Sequence, residues 1–320
     1  MGGHPVQNIG RSHHSGKQPP TDQNFLAKDV DKGLYFQEQW DRLLKVDPEF
    51  AFVDGWNEWV AQRFIVAQGQ DMDLLGKRLA KGDTFFVDTY NEEFSRDIQP
   101  MKGGYGDNYY MQLVANIRRF KGVRPPEKAS PHRSIDISGS FHQWDAVRPE
   151  YLDTVGDVTH RDWPGWGSLH YNDTSGRNDI VASKVACDSK NIYFYVRTHT
   201  PLTHHTDPNW MQLLIDVDRD PSLGWHGYTF VVNAHILSAS VTTLRRITDG
   251  HEWQIPYHVV GNEMQIAVPR GLIGQLDKNK TSFDFHWVDN VTVGGDIHDF
   301  WLRGDSAPNG RFNYRYESSR

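Results

Sequence analysis

Two rhythms divide the chain. In its first third apolar residues recur at helical spacing: Phe36, Trp40, Leu43 and Leu44 share one face of a helix that Asp31 caps and Asp47-Pro48 ends. The short apolar run from Phe50 to Val53 predicts a strand, with Asp54-Gly55-Trp56-Asn57-Glu58-Trp59 at its carboxyl end. Met72, Leu75 and Leu79 predict a short helix from Asp71 to Leu79, stopped at Gly82. Tyr110, Leu113, Val114, Ile117 and Phe120 predict another helix, from Asp107 to Gly122. This α-β-loop-α order is that of an α/β unit, yet a closed (β/α)8 barrel takes roughly 200 residues or more, so the region cannot close alone.

A proline-rich and charged stretch, from Gly122 to Pro131, breaks the pattern and predicts a linker over 125–133. Beyond it come short runs rich in β-branched and aromatic residues: Ile180 to Asp188, Asn191 to Thr198, Trp210 to Val217, Gly227 to Ala234, Gln254 to Val260, Glu263 to Val268 and Phe283 to Val288. Hairpin turns are predicted at Asp188-Ser189-Lys190-Asn191 and Val260-Gly261-Asn262-Glu263. Strands at such spacing predict an antiparallel β-sandwich over 134–320. The expected fold class is α/β plus all-β.

Bulk properties narrow the partners. The 320 residues carry a net charge of -7 without a long basic run, which argues against nucleic acid. No stretch reaches membrane-spanning length, and no signal peptide opens the chain. A lone cysteine, Cys187, excludes an intrachain disulfide and a cysteine-based zinc cage. The 11 tryptophans, high for this length, fit Trp-rich cores or a surface on which sugar rings stack.

The motifs sharpen the second option. Trp56-Asn57-Glu58-Trp59, the loop from Asn91 to Pro100 and Gly106-Asp107-Asn108-Tyr109-Tyr110 resemble the last strand, loop and helix of glycoside hydrolase family 99-like barrels, with Gln99 where that loop usually has Glu. The resemblance implies that residues 1–124 are the carboxy-terminal portion of an incomplete glycosidase-like barrel. From about Ile135 to Tyr316 the chain resembles family 9 carbohydrate-binding modules and related DOMON-like sandwiches. That resemblance rests on Trp144-Asp145, Gly176-Arg177-Asn178-Asp179, Lys184-Val185-Ala186, Asn191-Ile192-Tyr193-Phe194, Leu214-Ile215-Asp216-Val217-Asp218 and Ile266-Ala267-Val268-Pro269-Arg270. Together they imply a polysaccharide or oligosaccharide partner met outside the cytoplasm.

Glycosidic bond cleavage commonly uses two carboxyl groups. Glu58, between two indoles that lower the local dielectric, is the first candidate; Glu93 is the second, ahead of Glu92 and Asp97, with a solvated acidic loop paired to Arg96 as the alternative. Trp56, Asn57, Trp59 and Asp97 would bind substrate beside them, and Trp163, Trp166, Trp210 and Trp225 would form a sugar platform on the sandwich. Neither metal nor cofactor is expected. His4, Arg11, His13 and His14 lack the spaced carboxylate of a metal motif, and Asp216-Val217-Asp218-Arg219-Asp220 lacks the closing Glu of a calcium loop and reads as a turn cap. Haem would need an axial pair from His235, His258, His286 and Met264, for which core or surface roles are commoner. Two functions follow: part of a glycoside hydrolase, inactive without the rest of its barrel, or a non-catalytic glycan-binding protein.

Overall fold

A computed structural model describes residues 8–57, 63–67, 72–75, 77–86, 90–101, 103–158, 160–164, 170–276 and 280–319. The chain divides into two units, 1–125 and 126–320.

In the first unit, helix α1 spans Leu34–Val46 and helix α2 spans Asn108–Lys121. Their inner faces meet through Phe36, Trp40, Tyr109 and Leu113; the α1 face is the expected one, whereas α2 buries Tyr109, Leu113 and Asn116 and leaves Ile117 of its predicted face exposed. The cap differs from the expected one: Gly33, in the left-handed region at φ 61°, stands at the start of α1 in place of Asp31. Between the helices Gln37 and Asn116 exchange amide hydrogen bonds of 3.2 and 3.0 Å, and Gln112 donates to Gln37 Oε1.

The strands of this unit overturn the barrel expectation. A (β/α) barrel needs parallel strands joined by helical crossovers. Among the described residues the unit holds two antiparallel pairs: β1 (Arg63–Ile65) with β4 (Thr84–Phe86), and β2 (Met72–Leu74) with β3 (Lys77–Leu79). The predicted helix from Asp71 to Leu79 is therefore a hairpin, turned at Leu75 with φ 48°, that buries Leu74 and Leu79. The predicted strand at Phe50 to Val53 pairs with no strand among the described residues, and Phe50 and Phe52 are exposed.

The second unit is antiparallel and all-β in its sheets. Its strands are β5 (Glu150–Leu152), β6 (Arg161–Pro164), β7 (His170–Asp173), β8 (Ile180–Cys187), β9 (Asn191–Thr198), β10 (Gln212–Asp216), β11 (Phe230–Ile236), β12 (Val241–Arg246), β13 (Glu252–Val260), β14 (Glu263–Pro269), β15 (Lys280–Asp289), β16 (Asp305–Ala307) and β17 (Tyr314–Ser319). Eleven form one sheet in the order β16-β15-β10-β11-β12-β13-β14-β9-β8-β5, with β17 also on β15; β6 and β7 form a separate hairpin. The antiparallel all-β architecture expected of a sandwich is present here, formed as one continuous sheet that curls until β16 lies beside β8, a nearly closed barrel. From Pro126 onward the predicted linker belongs to this unit: Ser130 N donates to Arg148 O, Arg133 N donates to Cys187 O, and Ala129 packs on the core.

Both faces of the central strands are covered, so β8 and β10 are buried at every position and are largely apolar, with Ser183 and Lys184 within β8 and Gln212 and Asp216 at the ends of β10. Inside the curl Val185, Phe194, Leu213, Ile215, Ile266 and Phe285 pack together. Outside it, Leu214, Val231 and Val288 lie under Trp225, Tyr228 and Phe300, while Tyr193 and Tyr195 lie under Trp144.

Candidate functional site

Three of the candidate residues, Glu58, Trp59 and Trp166, lie outside the described residues. Of their neighbours, Trp56 is 45% exposed with its edge against Tyr110, and its carbonyl accepts from Ile98 N and Gln99 N. Asn57 Nδ2 donates to Gln99 Oε1 at 2.9 Å, so the glutamine that departs from the family motif holds the asparagine in place.

Glu93 lies inside the first unit. Its carboxylate is fully buried and accepts from Ser12 N at 2.9 Å, Ser12 Oγ at 2.8 Å and Gln18 Nε2 at 2.8 Å, while its carbonyl accepts from Arg11 N. A general acid or base must reach the substrate's oxygen or a water; Glu93 instead fastens the segment around Arg11 to its own loop. A Cβ placed on Gly10 would lie 2.1 Å from Glu93 Oε1, so only glycine admits this packing. Arg11 is buried between the rings of Tyr105 and Tyr109, 4.3 and 4.5 Å from their centroids, and Asp97 contributes its carbonyl to the Arg11 guanidinium. Asp97 Oδ2 accepts from Ser95 Oγ. These groups form a buried polar brace.

The tryptophans separate by burial. Trp163, on β6, is 61% exposed and offers a stacking face. Trp225 is buried in the outer cluster, with its indole N–H on Gly295 O. Trp210 is buried as well, donating to Thr203 O, but it forms part of the wall of a cleft.

That cleft has a volume of about 530 Å³ and lies where the loop entering β10 meets β11. His205, Asp207, Trp210, Gln212, Asn233 and His235 are among its lining residues. Asn233 adopts φ 62° where the β11-β12 register shifts between Val232 and Ile236, a bulge that re-aims a side chain otherwise committed to one face. Its Nδ2 donates to Met211 O at 2.6 Å, which fixes the amide orientation and leaves Oδ1 without a partner; Gln212 Oε1 likewise has none. Asn233 is 3% exposed and Gln212 5%. A buried acceptor left unpaired costs about 1–3 kcal/mol, and both oxygens are enclosed by protein. At the rim Arg177 bridges Asp207 at 3.5 Å and Asp289 at 2.7 Å, and Glu252 holds His235 at 2.8 Å.

A second polar cluster sits at the seam of the barrel. Oxygens of Asp153, Asp157 and Asp305 lie within 4.8 Å of one another, the only such acidic or metal-ligating trio among the described residues. Asp305 accepts from Ile180 N and Ser306 N, which ties β16 to β8. Burial, then the charges of Asp157 and Asp153, push Asp305 up to about 8 against the lowering effect of the Ile180 N–H; burial and Asp157 push Asp153 up to about 7. Asp179 nearby is raised by burial and Asp157. Three oxygens could touch one cation, but a calcium ion takes six to eight, and the raised values make protons their natural partners. Asp216, in the segment weighed as a calcium loop, accepts from Asp218 N and Arg219 N and caps its turn.

No family model, curated protein or solved structure matches this chain. The motif resemblances thus stand on the residues that carry them. No helix among the described residues is long and apolar enough to cross a membrane. Neither Gln212 nor Asn233 was among the residues the sequence nominated. An asparagine ending the run Phe230-Val231-Val232, where strands disfavour asparagine, is the signal that could have found one of them.

Proposed function

We propose that this protein binds glycan without cleaving it, through the cleft between the loop entering β10 and strand β11. The observation that carries the reading is a hollow of about 530 Å³, large enough for a sugar ring, whose lining includes the amide residues Gln212 and Asn233. Trp210 supplies apolar wall beside them, and His205 and Asp207 add polar groups at the rim. The resemblance of residues 135–316 to family 9 carbohydrate-binding modules points the same way. The hydrolytic alternative gains no support from Glu93, whose carboxylate is sealed and fully hydrogen-bonded.

The test is a glycan array probed with the full chain and with His205→Ala, followed by an assay for reducing ends released from every bound glycan. Binding that weakens in the variant, with no release, is the expected result. An array without signal would end the glycan reading, and steady release of reducing ends would restore a hydrolase.

A further inference from the structure

Asn309-Gly310 is the one Asn-Gly pair in the chain, and it lies against the polar seam of the barrel. Such a pair is chemically labile, because glycine has no side chain to shield its backbone nitrogen from the neighbouring amide. That nitrogen can attack Asn309 Cγ: the N–Cγ bond forms, the Cγ–Nδ2 bond breaks, and Nδ2 leaves as ammonia with the proton the glycine nitrogen gives up. Water then opens the cyclic imide at either carbonyl and yields aspartate or isoaspartate. Packing imposes the pair on this loop. Gly310 adopts φ 66°, and a Cβ added to it would lie 2.2 Å from the Trp301 ring, so only glycine fits after Asn309.

The closed seam pins both reactants. Asn309 is exposed, yet its Nδ2 donates to Asp157 Oδ2 at 2.7 Å, a charge-assisted bond that fixes the amide. Gly310 N donates to Ser306 Oγ at 3.1 Å, and Ser306 Oγ donates in turn to Phe300 O. Asp157 belongs to the acidic trio with Asp153 and Asp305, and Asp305 ties β16 to β8 through Ile180 N. Conversion of Asn309 replaces a donor to Asp157 with a carboxylate, so a like charge stands where a hydrogen bond stood. We propose that Asn309 is a deamidation site that the closed seam holds in check, and that its conversion adds a fourth carboxylate to the trio and loosens β16 from β8.

The experiment follows Asn309 by peptide mass spectrometry of the full chain incubated at pH 8, beside a synthetic peptide of residues 305–314. The folded chain is expected to deamidate about tenfold more slowly than the peptide, the factor that corresponds to about 1.4 kcal/mol of hydrogen bonding. Asp157→Ala removes the acceptor of Nδ2 together with one negative charge of the seam, so it frees the amide without adding repulsion. Ser306→Ala frees the Gly310 nitrogen. Each variant is expected to speed the loss of Asn309 by about threefold to tenfold, with thermal melts showing that it stays folded at the incubation temperature. Asn309→Asp, which stands for the product, is expected to lower the thermal midpoint at pH 8 by about 2–4 °C. Deamidation of the wild type as fast as in the peptide, or rates in both variants equal to that of the wild type, would show that the seam does not govern Asn309. An Asn309→Asp midpoint equal to the wild type would overturn the loosening of β16.

Discussion

Glu93 illustrates how a residue's chemistry can be visible in sequence while its role is not. An acid in a loop rich in acids suits catalysis or solvent, and only the fold shows that Ser12 and Gln18 come from some 80 residues away to meet its carboxylate. The same holds for Trp210 and Trp225, whose Gly- and Pro-flanked positions suggested exposed platforms. Long-range packing buries both, whereas Trp163 keeps its open face. Removing Glu93 leaves the donors of Ser12 and Gln18 unpaired. Glu93→Ala is expected to cost about 1–3 kcal/mol for each buried donor so stranded, read as a lower midpoint in urea. Gly10→Ala should lower that midpoint too, because its methyl group occupies the place of Glu93 Oε1. A Glu93→Ala protein as stable as wild type would show that the brace contributes nothing.

At the scale of elements, legibility followed length and periodicity. Helices α1 and α2 run over 13 and 14 residues, long enough for helical spacing to mark both, although on α2 it favoured Tyr110 and Ile117 where Tyr109 and Asn116 are buried. The segment from Asp71 to Leu79 is too short for that: Met72, Leu75 and Leu79 fit a helix, but Met72, Leu74 and Leu79 fit a hairpin once Leu75 turns, and the hairpin forms. Strands β8 to β11 and β13 to β15 were legible as apolar runs, whereas β12, with Thr242, Thr243, Arg245 and Arg246, carried too little apolar signal. Register and closure were not legible, because they depend on which distant strands pair. The helix pair adds its own test. Asn116 is 1% exposed and its amide serves Gln37, so Asn116→Ala strands a buried amide and is expected to lose about 1–3 kcal/mol. Gln37→Leu combined with Asn116→Leu should recover part of that loss, since it removes both amides of the pair while Gln112 Nε2 keeps its bond to Gly33 O; denaturant midpoints of the three proteins decide it.

The whole barrel is closed by a polar seam, and that sets how its stability answers to pH. Asp305 and Asp153 titrate near 8 and 7 in the folded chain, against about 3.9 for an unfolded aspartate. The folded state therefore holds protons that the unfolded state has released, and stability falls as pH climbs from about 4 to about 8. For the buried Asp305 the slope is on the order of 1.4 kcal/mol per pH unit. His286 acts in the opposite sense. Buried on β15 with Nδ1 donating to Phe312 O, it is pushed down to about 4, so its contribution is full above 6.5 and is lost as pH falls toward 4. Between pH 4 and 6.5 His286 offsets only one of the two carboxyls, so the thermal midpoint should fall, more slowly than the carboxyls alone would set. Between 6.5 and 8 only the carboxyls titrate, and the midpoint should drop. Asp157→Asn keeps an oxygen for Asn309 Nδ2, removes one negative charge from the seam and offers an amide donor to Asp153. It is expected to flatten the fall above pH 6.5 and to stabilise the protein at pH 8 by about 1–2 kcal/mol, while leaving the acid limb set by His286 unchanged. Thermal melts from pH 4 to 9 check both limbs, and a midpoint that rises from pH 6.5 to 8, or an Asp157→Asn profile parallel to the wild type, would show that the seam is held by something other than shared protons.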